Sequence, residues 1–380
     1  MRKFPTVFMR GGTSKGIMFL EQDLPERAEW DHIFAQCMGN PDPKQIDGVG
    51  GCVSSNNKIV VAKKSNLPGI DVEYLVGQSV VGQNKIDYSS NCGNMTSATA
   101  PYAVEMGLVE HLEEPITTVH MFNQNTNKYI DVDVPVKDGK FNNEGNCVIA
   151  GVDGAGGELK VNFLNPAGSK TGKLFPTGHA KDELNTKTLG TIAATILDVS
   201  NPMVLVRAEE LNIYGTELPA QIDKNEDLMH VLEEIRGAAC VKMGLARDLQ
   251  DATENSPAVP KIGVFTMPRD YTDLSGKAVS GREMDICVRV LSMFKCHKAC
   301  PLTSASAIAV ACRVPGTILY DLLSDNDTAM VKIGHPGGVM TMYPYLHDVE
   351  QLDVNLIKVN GVAVQRTARR IMDGTIYIRD

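Results

Sequence analysis

Cys92 is the first residue whose type and position could support chemistry. It lies in Ser-Ser-Asn-Cys-Gly-Asn-Met-Thr (89–96), directly before a run of small apolar residues that predicts a buried helix. Thiols at helix N-termini generally have lowered pKa values, so such a cysteine can hold and return a proton near neutral pH. The following glycine allows a ligand to approach the backbone, and asparagines are unusual in a core. An ordinary core cysteine is the alternative interpretation.

Lys58 is the second such residue. It ends the polar segment 54–58 and begins an apolar strand, Ile-Val-Val-Ala. A lysine at the mouth of a strand is commonly a solvated end, but in a half-closed cleft burial lowers the pKa towards the range of a general base. The sequence leaves both interpretations open. The loop before this segment, residues 45–51, is rich in glycine and again permits close approach of a ligand.

A third polar segment could bind an anion. Residues 9–16, Met-Arg-Gly-Gly-Thr-Ser-Lys-Gly, lie between two predicted strands and combine glycines with two hydroxyls and two cations. Arg10, Thr13, Ser14 and Lys15 are the candidate ligands of such an anion. A simple hairpin connection explains the same residues equally well.

These side chains need elements that hold them in place, and two unusual helices are predicted. Residues 94–107 and 302–314 are small and apolar on nearly every side, which is typical of helices inside a domain. They share a short pattern, Thr-Ser-Ala-Thr-Ala at 96–100 and Thr-Ser-Ala-Ser-Ala at 303–307, which suggests a duplicated architecture. An uncovered helix N-terminus presents free N–H groups and the positive end of the helix dipole, so each helix start could bind a carboxylate.

The remaining pattern is that of a chain rich in strands. With 380 residues, two domains are expected, and the composition break at 168–178 favours domains at 1–182 and 183–363. A C-terminal strand at about 364–380 could return to the first domain. Amphipathic surface helices are predicted at 26–38 and 226–243. Strands are predicted at 6–9, 16–20, 58–62, 72–81, 117–122, 129–134, 191–197, 203–206, 261–265 and 284–290.

Composition excludes several classes of partner. A net charge of −9 disfavours nucleic acid and anionic membranes, and no apolar run approaches the roughly 20 residues of a membrane span. The odd count of 9 cysteines without paired spacing indicates reduced thiols. With no secretory signal visible, we expect a cytoplasmic location.

Three sequence patterns typical of phosphate, metal or dinucleotide sites are incomplete or absent. Residues 167–174 resemble a phosphate loop, but the first glycine is alanine and leucine follows Gly-Lys. Cys296 and Cys300 lack a second pair of metal-type ligands, and no Gly-x-Gly-x-x-Gly follows a strand. We therefore expect neither a metal nor a dinucleotide cofactor.

Taken together, the motifs resemble those of the PrpF / methylitaconate Δ-isomerase family, in order along nearly the whole chain. They are residues 9–16 (MRGGTSKG), 45–48 (QIDG), 54–58 (SSNNK), 91–94 (NCGN), 174–178 (LFPTG), 201–202 (NP), 297–298 (HK), 334–338 (GHPGG) and 366–374 (RTARRIMDG). The family is similar to the diaminopimelate epimerases. The resemblance therefore implies an α+β fold of two related domains, each a mostly antiparallel, β-barrel-like sheet around a central helix. It also implies a ligand cleft between the domains.

The resemblance also implies residue roles. Lys58 and Cys92 become the acid/base pair, Cys92 matching the first catalytic thiol of the epimerases. Ser14 and Asn201 match their substrate-binding asparagines, and Thr303 replaces their second thiol. The substrate-binding residues expected in this way are Arg10, Thr13, Ser14, Lys15, Ser54, Gly93, Asn94, Met95, Asn201, Thr303 and Ser304.

The expected activity is a cofactor-independent isomerisation that shifts a C=C bond in a small unsaturated di- or tricarboxylate, such as methylitaconate, 2-methylaconitate or aconitate. A two-thiol racemase or epimerase using Cys92 and Cys300 stays open, because Cys300 lies only three residues before Thr303. So does a non-catalytic polycarboxylate-binding accessory protein. The sequence decides neither the substrate, nor the direction of reaction, nor whether the protein is a homo-oligomer.

Overall fold

The computed structural model describes residues 1–323, 328–351 and 353–379. The chain divides into two compact units: unit 1 comprises Met1–Leu164 and Gln365–Asp380, and unit 2 comprises Asn165–Val364. Residues 165–182, which the sequence analysis placed in the first domain, lie in unit 2. Their loop binds the carboxylate of Asp198, also in unit 2. The C-terminal segment lies in unit 1, and its last residue, Asp380, is outside the described residues.

Strands dominate the described part of the chain. The strands of the first 164 residues are β1 (Arg2–Gly11), β2 (Ser14–Leu20), β3 (Lys58–Lys64), β4 (Val72–Ser79), β5 (Ile86–Asp87), β6 (Ile116–Asn123), β7 (Lys128–Lys137), β8 (Lys140–Phe141) and β9 (Leu159–Leu164). The later strands are β10 (Asp182–Thr186), β11 (Gly190–Val199), β12 (Asn201–Arg207), β13 (Lys261–Thr266), β14 (Tyr271–Thr272), β15 (Ala278–Val279), β16 (Ile286–Ser292), β17 (Lys295–Cys296), β18 (Val331–His335), β19 (Gly338–His347), β20 (Lys358–Arg366) and β21 (Ala368–Ile378). Each of the ten predicted strands corresponds to an observed strand.

The α-helices are fewer. Within the described residues they are α1 (Trp30–Met38), α2 (Gly93–Glu105), α3 (Pro219–Asp223), α4 (Glu226–Lys242), α5 (Leu249–Asn255) and α6 (Leu302–Ala311). The two predicted buried helices are α2 and α6, and the two predicted surface helices correspond to α1 and α4. None of the helices in the described ranges has the length and apolar character needed to cross a membrane.

Unit 1 is a sheet that surrounds α2. From β1 to β9 the neighbouring strands pair as β1–β2 antiparallel, β2–β3 parallel, β3–β4 antiparallel, β4–β6 parallel, β6–β7 antiparallel and β7–β9 antiparallel. The C-terminal β21 adds to the free edge of β1. Helix α2 contacts strands from β21 and β1 at one end of this order to β9 at the other. Every residue from Met95 to Val104 is therefore buried.

Unit 2 repeats this order of pairings. Its strands pair as β11–β12 antiparallel, β12–β13 parallel, β13–β16 antiparallel, β16–β18 parallel, β18–β19 antiparallel and β19–β20 antiparallel, with β10 at the edge of β11. Helix α6 contacts β11, β12, β18 and β19, and its residues from Ser304 to Ala311 are all buried. The chain is thus an α+β protein built mainly of β-strands, as predicted in outline.

Candidate active site

Lys58 is positioned by close contact between β2 and β3. Gly16 of β2 pairs with Lys58, the first residue of β3. A Cβ on Gly16 would lie 2.2 Å from the carbonyl oxygen of Lys58 and 2.9 Å from its Cβ. Because the carbonyl cannot move without disturbing the sheet, only glycine fits at position 16.

The Lys58 side chain is buried, and the pKa of its amine is lowered. It is 7% exposed, and its Nζ donates a hydrogen bond to Oε1 of Gln78 at 2.5 Å. Gln78 of β4 is the direct cross-strand neighbour of Lys58. Its Nε2 donates a hydrogen bond to Oγ of Ser90. Burial lowers the pKa of Lys58, while negative charge on Cys92 and Asp87 acts in the opposite direction. The structure therefore places a buried lysine with a lowered pKa within electrostatic reach of Cys92.

Cys92 is the N-cap residue of α2. Its thiol is half-exposed and forms no disulfide. The first intrahelical bond runs from Thr96 N to Cys92 O, so the N–H groups of Gly93, Asn94 and Met95 precede the helical ladder and point out of the helix. Met95 itself has a fully buried side chain. Only its backbone N–H can therefore meet a ligand.

A network of side-chain hydrogen bonds fixes the backbone at Cys92. Asn91 Nδ2 donates to the hydroxyl of Tyr74 at 3.2 Å and to Oγ1 of Thr96 at 3.0 Å. Thr96 Oγ1 in turn donates to Cys92 O at 3.2 Å. Burial raises the pKa of Tyr74, so that residue stays a neutral hydrogen-bonding partner.

The turn between β1 and β2 packs on the start of α2. Asn94 Nδ2 donates to Oγ1 of Thr13 at 3.0 Å and to Oγ of Ser14 at 3.1 Å. Gly12 has a left-handed φ of 48°, and a Cβ there would lie 2.2 Å from Oδ1 of Asn94. Thr13, Ser14 and Asn94 are thus brought together beside Cys92; their role in binding substrate stays a prediction.

Arg10 and Lys15 lie on the other face of the same hairpin. They are cross-strand neighbours, and their side chains alternate with that of Ser14. Arg10 Nη1 donates to the carbonyl oxygens of Gly12 at 3.0 Å and Thr367 at 2.9 Å. The Lys15 ammonium lies 5.7 Å from the ring centre of Phe8. Arg10 thus contacts the turn and Thr367, and Lys15 contacts β1, whereas Thr13 and Ser14 contact Asn94 of α2.

The loop that leads into Lys58 is organised by Gln45. This buried side chain donates from Nε2 to Asn40 and Asn57 and accepts from the backbone N–H of Cys52 at 2.9 Å. Ser54, predicted to bind substrate, is exposed at the start of the 3-10 helix Ser54–Asn56. The glycine-rich motif around Gln45 thus positions the chain that enters β3.

In unit 2 the start of α6 holds Thr303 and Ser304. The first intrahelical bond runs from Ala305 N to Pro301 O at 2.8 Å, so the N–H groups of residues 302–304 precede the ladder. Ser304 is 1% exposed, and its hydroxyl has no hydrogen-bond partner within the described residues. Asn201, also predicted to bind substrate, is the half-buried first residue of β12.

Cys300 occupies a different environment from Cys92. It is 4% exposed, and burial raises the pKa of its thiol to about 12, with Lys261 acting in the opposite direction. Burial also lowers the pKa values of Lys261 and His297. Cys300 is therefore a neutral, covered thiol.

The rejected phosphate-loop motif has a structural role. The buried carboxylate of Asp198 accepts hydrogen bonds from Oγ of Ser169, from the N–H groups of Lys170 and Thr171, and from the Thr171 hydroxyl, at 2.6–2.9 Å. A carboxylate of the protein thus occupies the position that a phosphate would take in such a loop. Within the described residues, no group of three or more His, Cys, Asp or Glu side chains is arranged to hold a metal ion.

Two residues of the site were not singled out from the sequence. Gln78 is the last but one residue of β4 in an ordinary strand pattern, and only strand register shows that it faces Lys58. Arg366 is half-buried; burial lowers its pKa to about 10, while negative charge on Cys92 and Cys147 acts in the opposite direction. The sequence pointed to Arg366 only through its position in the motif at residues 366–374.

Comparison with known proteins identifies the family. The family described as PrpF protein matches residues 1–379. The chain belongs to the PrpF family. The resemblance inferred from the nine motifs is thereby confirmed.

Relatives in this PrpF family are isomerases by name. The 3-methylitaconate isomerase of Eubacterium barkeri is 39% identical over 379 residues, which cover 99% of this chain and 97% of the relative. The 2-methyl-aconitate isomerase of Cupriavidus necator is 34% identical over 389 residues, with 99% and 97% covered. A crystal structure of methylitaconate-delta-isomerase matches with a TM-score of 0.88 at 39% identity, covering 99% of this chain and 96% of that one.

Proposed function

We propose that this PrpF protein is a cofactor-independent isomerase that transfers an allylic proton in a small unsaturated di- or tricarboxylate, such as methylitaconate, 2-methylaconitate or aconitate. The similarity to 3-methylitaconate and 2-methyl-aconitate isomerases supports the reaction class. The proposal is supported above all by two facts: Lys58 is buried with a lowered pKa that negative charge on Cys92 counteracts, and Cys92 is the half-exposed N-cap residue of the buried helix α2. The nine free cysteines are compatible with a reducing cytoplasm.

The chemistry requires one proton to leave and one to return. The neutral amine of Lys58 or the thiolate of Cys92 removes the allylic proton. The electron pair of the broken C–H bond delocalises over the allyl system and onto a carboxylate attached to one of its two ends, which gives a dienolate. The same group or the other one then delivers a proton to the far carbon of the allyl system. Atoms and electrons balance without an added oxidant or reductant.

Helix starts supply the donors for the carboxylates. The N–H groups of Gly93, Asn94 and Met95 lie beside Cys92, where they would stabilise negative charge as it develops. Thr303 and Ser304 provide equivalent N–H groups at α6, together with the unpaired Ser304 hydroxyl. Both units would then belong to the diaminopimelate epimerase type, with a β-barrel-like sheet around a central helix whose N-terminus presents free N–H groups.

A spectrophotometric screen tests the proposal. Unsaturated polycarboxylates are incubated with the protein, and ultraviolet absorbance is followed, because movement of a C=C bond into or out of conjugation changes the absorbance. A parallel incubation in heavy water reports deuterium in the carbon skeleton. An isomerase gives both signals with at least one substrate.

The rival functions give different results in the same experiment. A two-thiol epimerase incorporates deuterium at a stereocentre without any absorbance change, and it would require Cys300, whose thiol is buried and has a raised pKa. A polycarboxylate-binding accessory protein gives binding heat by calorimetry and neither of the other signals. Either of these results would overturn the isomerase assignment.

A further inference from the structure

Arg366 lies beside the start of α2, although it is far from Cys92 in sequence. It is the last residue of β20 and belongs to unit 1. The next residue, Thr367, accepts a hydrogen bond from Gly12 N at 2.9 Å. A Cβ on Gly12 would lie 2.2 Å from Oδ1 of Asn94 and 3.3 Å from Cδ of Arg366. The missing side chain of Gly12 therefore lets the arginine and the helix start come together.

The charge of Arg366 has no carboxylate partner within the described residues. Its one side-chain hydrogen bond there runs from Nη1 to the carbonyl oxygen of Gln365 at 2.9 Å. Arg370, on the next strand, is by contrast paired with Glu105 at 2.6 Å and Asp373 at 3.3 Å. A guanidinium has five N–H donors in a rigid fork, so Arg366 retains most of its hydrogen-bonding capacity.

An unpaired, half-buried cation is costly for a folded protein. Removing a charge from water without a compensating partner destabilises the native state. Burial of Arg366 is therefore explained best by an anion that reaches it in the working protein. Negative charge on Cys92 or Cys147 would counteract the effect of burial on the pKa of Arg366, but burial raises the pKa of the Cys147 thiol to about 11. A carboxylate ligand satisfies the guanidinium more fully, because its two oxygens match the fork.

We propose that Arg366 binds a carboxylate of the substrate next to Cys92. This inference rests on the proposed function, which makes the substrate a polycarboxylate. Because Asn94 and Arg366 both lie against the position that a side chain of Gly12 would occupy, a carboxylate held by the guanidinium would lie close to the start of α2. The same guanidinium then attracts the negative charge of the dienolate.

Calorimetric titration with tricarballylate tests this assignment. Tricarballylate has three carboxylates and no C=C bond, so binding is measured without turnover. For Arg366→Gln we expect Kd to rise about 10- to 100-fold, as for loss of a charge-assisted hydrogen-bonded pair. For Arg366→Lys we expect an intermediate Kd, because an ammonium keeps the charge but lacks the planar fork of N–H donors. Arg369→Gln is the matched control, since it removes one positive charge from an exposed position three residues away.

The outcomes separate clearly. Unchanged tricarballylate affinity in a folded Arg366→Gln protein would overturn the proposal, as would an equal loss in Arg369→Gln or no binding by the wild type. Should Arg366→Gln fail to fold by circular dichroism, Arg366→Lys provides the decisive comparison with Arg369→Gln. In that comparison, a larger loss of tricarballylate affinity in Arg366→Lys than in Arg369→Gln supports the assignment, and equal affinity of the two variants overturns it.

A second measurement distinguishes substrate binding from simple pairing with the thiolate. The rate of alkylation of Cys92 by iodoacetamide is followed against pH, with peptide mass spectrometry to separate it from exposed Cys52. A shift of that pH profile in Arg366→Gln with no change in Kd would assign Arg366 to the thiol alone and overturn the proposal. If the wild type binds tricarballylate but isomerises nothing, the proposed function fails while the Arg366 assignment stands.

Discussion

The two units share an order of strand pairings but differ at the start of their buried helices. In each unit the third strand of the repeated order begins with a lysine, Lys58 in β3 and Lys261 in β13. A cysteine precedes the buried helix in both, Cys92 directly before α2 and Cys300 two residues before α6. Burial lowers the pKa of both lysines. The repeated framework thus contains two lysine–cysteine pairs.

Exposure of the sulfur and two glycines distinguish these pairs. Cys92 is half-exposed and Gly93 follows it, whereas Cys300 is buried and Pro301 follows it. Beside Lys58 the neighbouring strand has Gly16, and beside Lys261 it has Met203. The two units therefore share a framework but differ in access to the sulfur and in the space beside the amine. If Lys58 and Cys92 are the proton-transfer pair, as proposed, these two differences explain why unit 1 rather than unit 2 does the chemistry.

The largest expected effect contrasts the two thiols. Cys92→Ser should lower kcat by at least about 100-fold, because one acid/base group is lost. Cys300→Ser should lower it less than about tenfold, since a buried neutral thiol does not exchange protons during turnover. Steady-state kinetics with the substrate found in the screen measures both. Equal losses in the two variants would remove the distinction between the units.

The second contrast concerns the space beside each lysine. Gly16→Ala should displace Lys58, lowering kcat at least about tenfold and destabilising the fold by about 1–3 kcal/mol, as overpacking does. Met203→Ala should cost about 2–5 kcal/mol through a cavity while kcat stays near the wild-type value. Urea unfolding and kinetics on the same samples provide both numbers. Wild-type activity in Gly16→Ala would show that Lys58 does not need this close packing.

The third contrast is in pH dependence. If neutral Lys58 is the base, kcat/KM should rise with pH through a limb below the ordinary lysine pKa of about 10.4. Lys58→Met should remove that limb, and Lys261→Met should keep it. A lysine whose pKa is lowered by folding destabilises the native state at low pH, and that cost disappears as pH rises through the folded and then the unfolded pKa. Both variants should therefore unfold at higher urea concentration than the wild type at pH 7, with the difference vanishing above about pH 10.4.

The smallest effect concerns two serines at matching positions of the shared pattern. Ser97 donates its hydroxyl to Asn94 O at 2.6 Å, whereas the Ser304 hydroxyl is buried without a partner in the described ranges. Ser97→Ala should cost about 0.5–1.5 kcal/mol. Ser304→Ala should leave the free energy of unfolding unchanged or higher and raise KM. A loss of stability in Ser304→Ala without any change in KM would contradict a role in binding.

Much of the fold could be predicted from the sequence, because buried strands and helices leave a pattern. Helices α2 and α6 are small and apolar all round, and the ten predicted strands have β-branched runs. Strand β19 was not predicted as such, since most of its side chains are exposed or half-exposed and show no alternation. The composition break at 168–178 marked a loop, but it could not show that Asp198 binds this loop into unit 2.

Lys58 and Cys92 could be singled out from the sequence, and their role in proton transfer stays a prediction; their neighbours in the structure were harder to foresee. Cys92 and Lys58 are visible because their types contrast with their neighbours. Gln78 requires the register of β3 and β4, and Arg366 requires a contact with residues near the opposite end of the chain. The sequence could not show that Arg10 and Lys15 lie on the opposite face of the hairpin from Ser14, because composition does not reveal which face meets the helix.

Deuterium transfer by the Lys58→Ala protein in heavy water tests the central claim most directly. The wild type should isomerise its substrate and incorporate solvent deuterium at the carbon that receives the proton. We expect Lys58→Ala to lose both rates by at least about 100-fold, with circular dichroism confirming the fold. Isomerisation and deuterium incorporation by Lys58→Ala at wild-type rates would contradict the assignment of this lysine and cysteine as the proton-transfer pair.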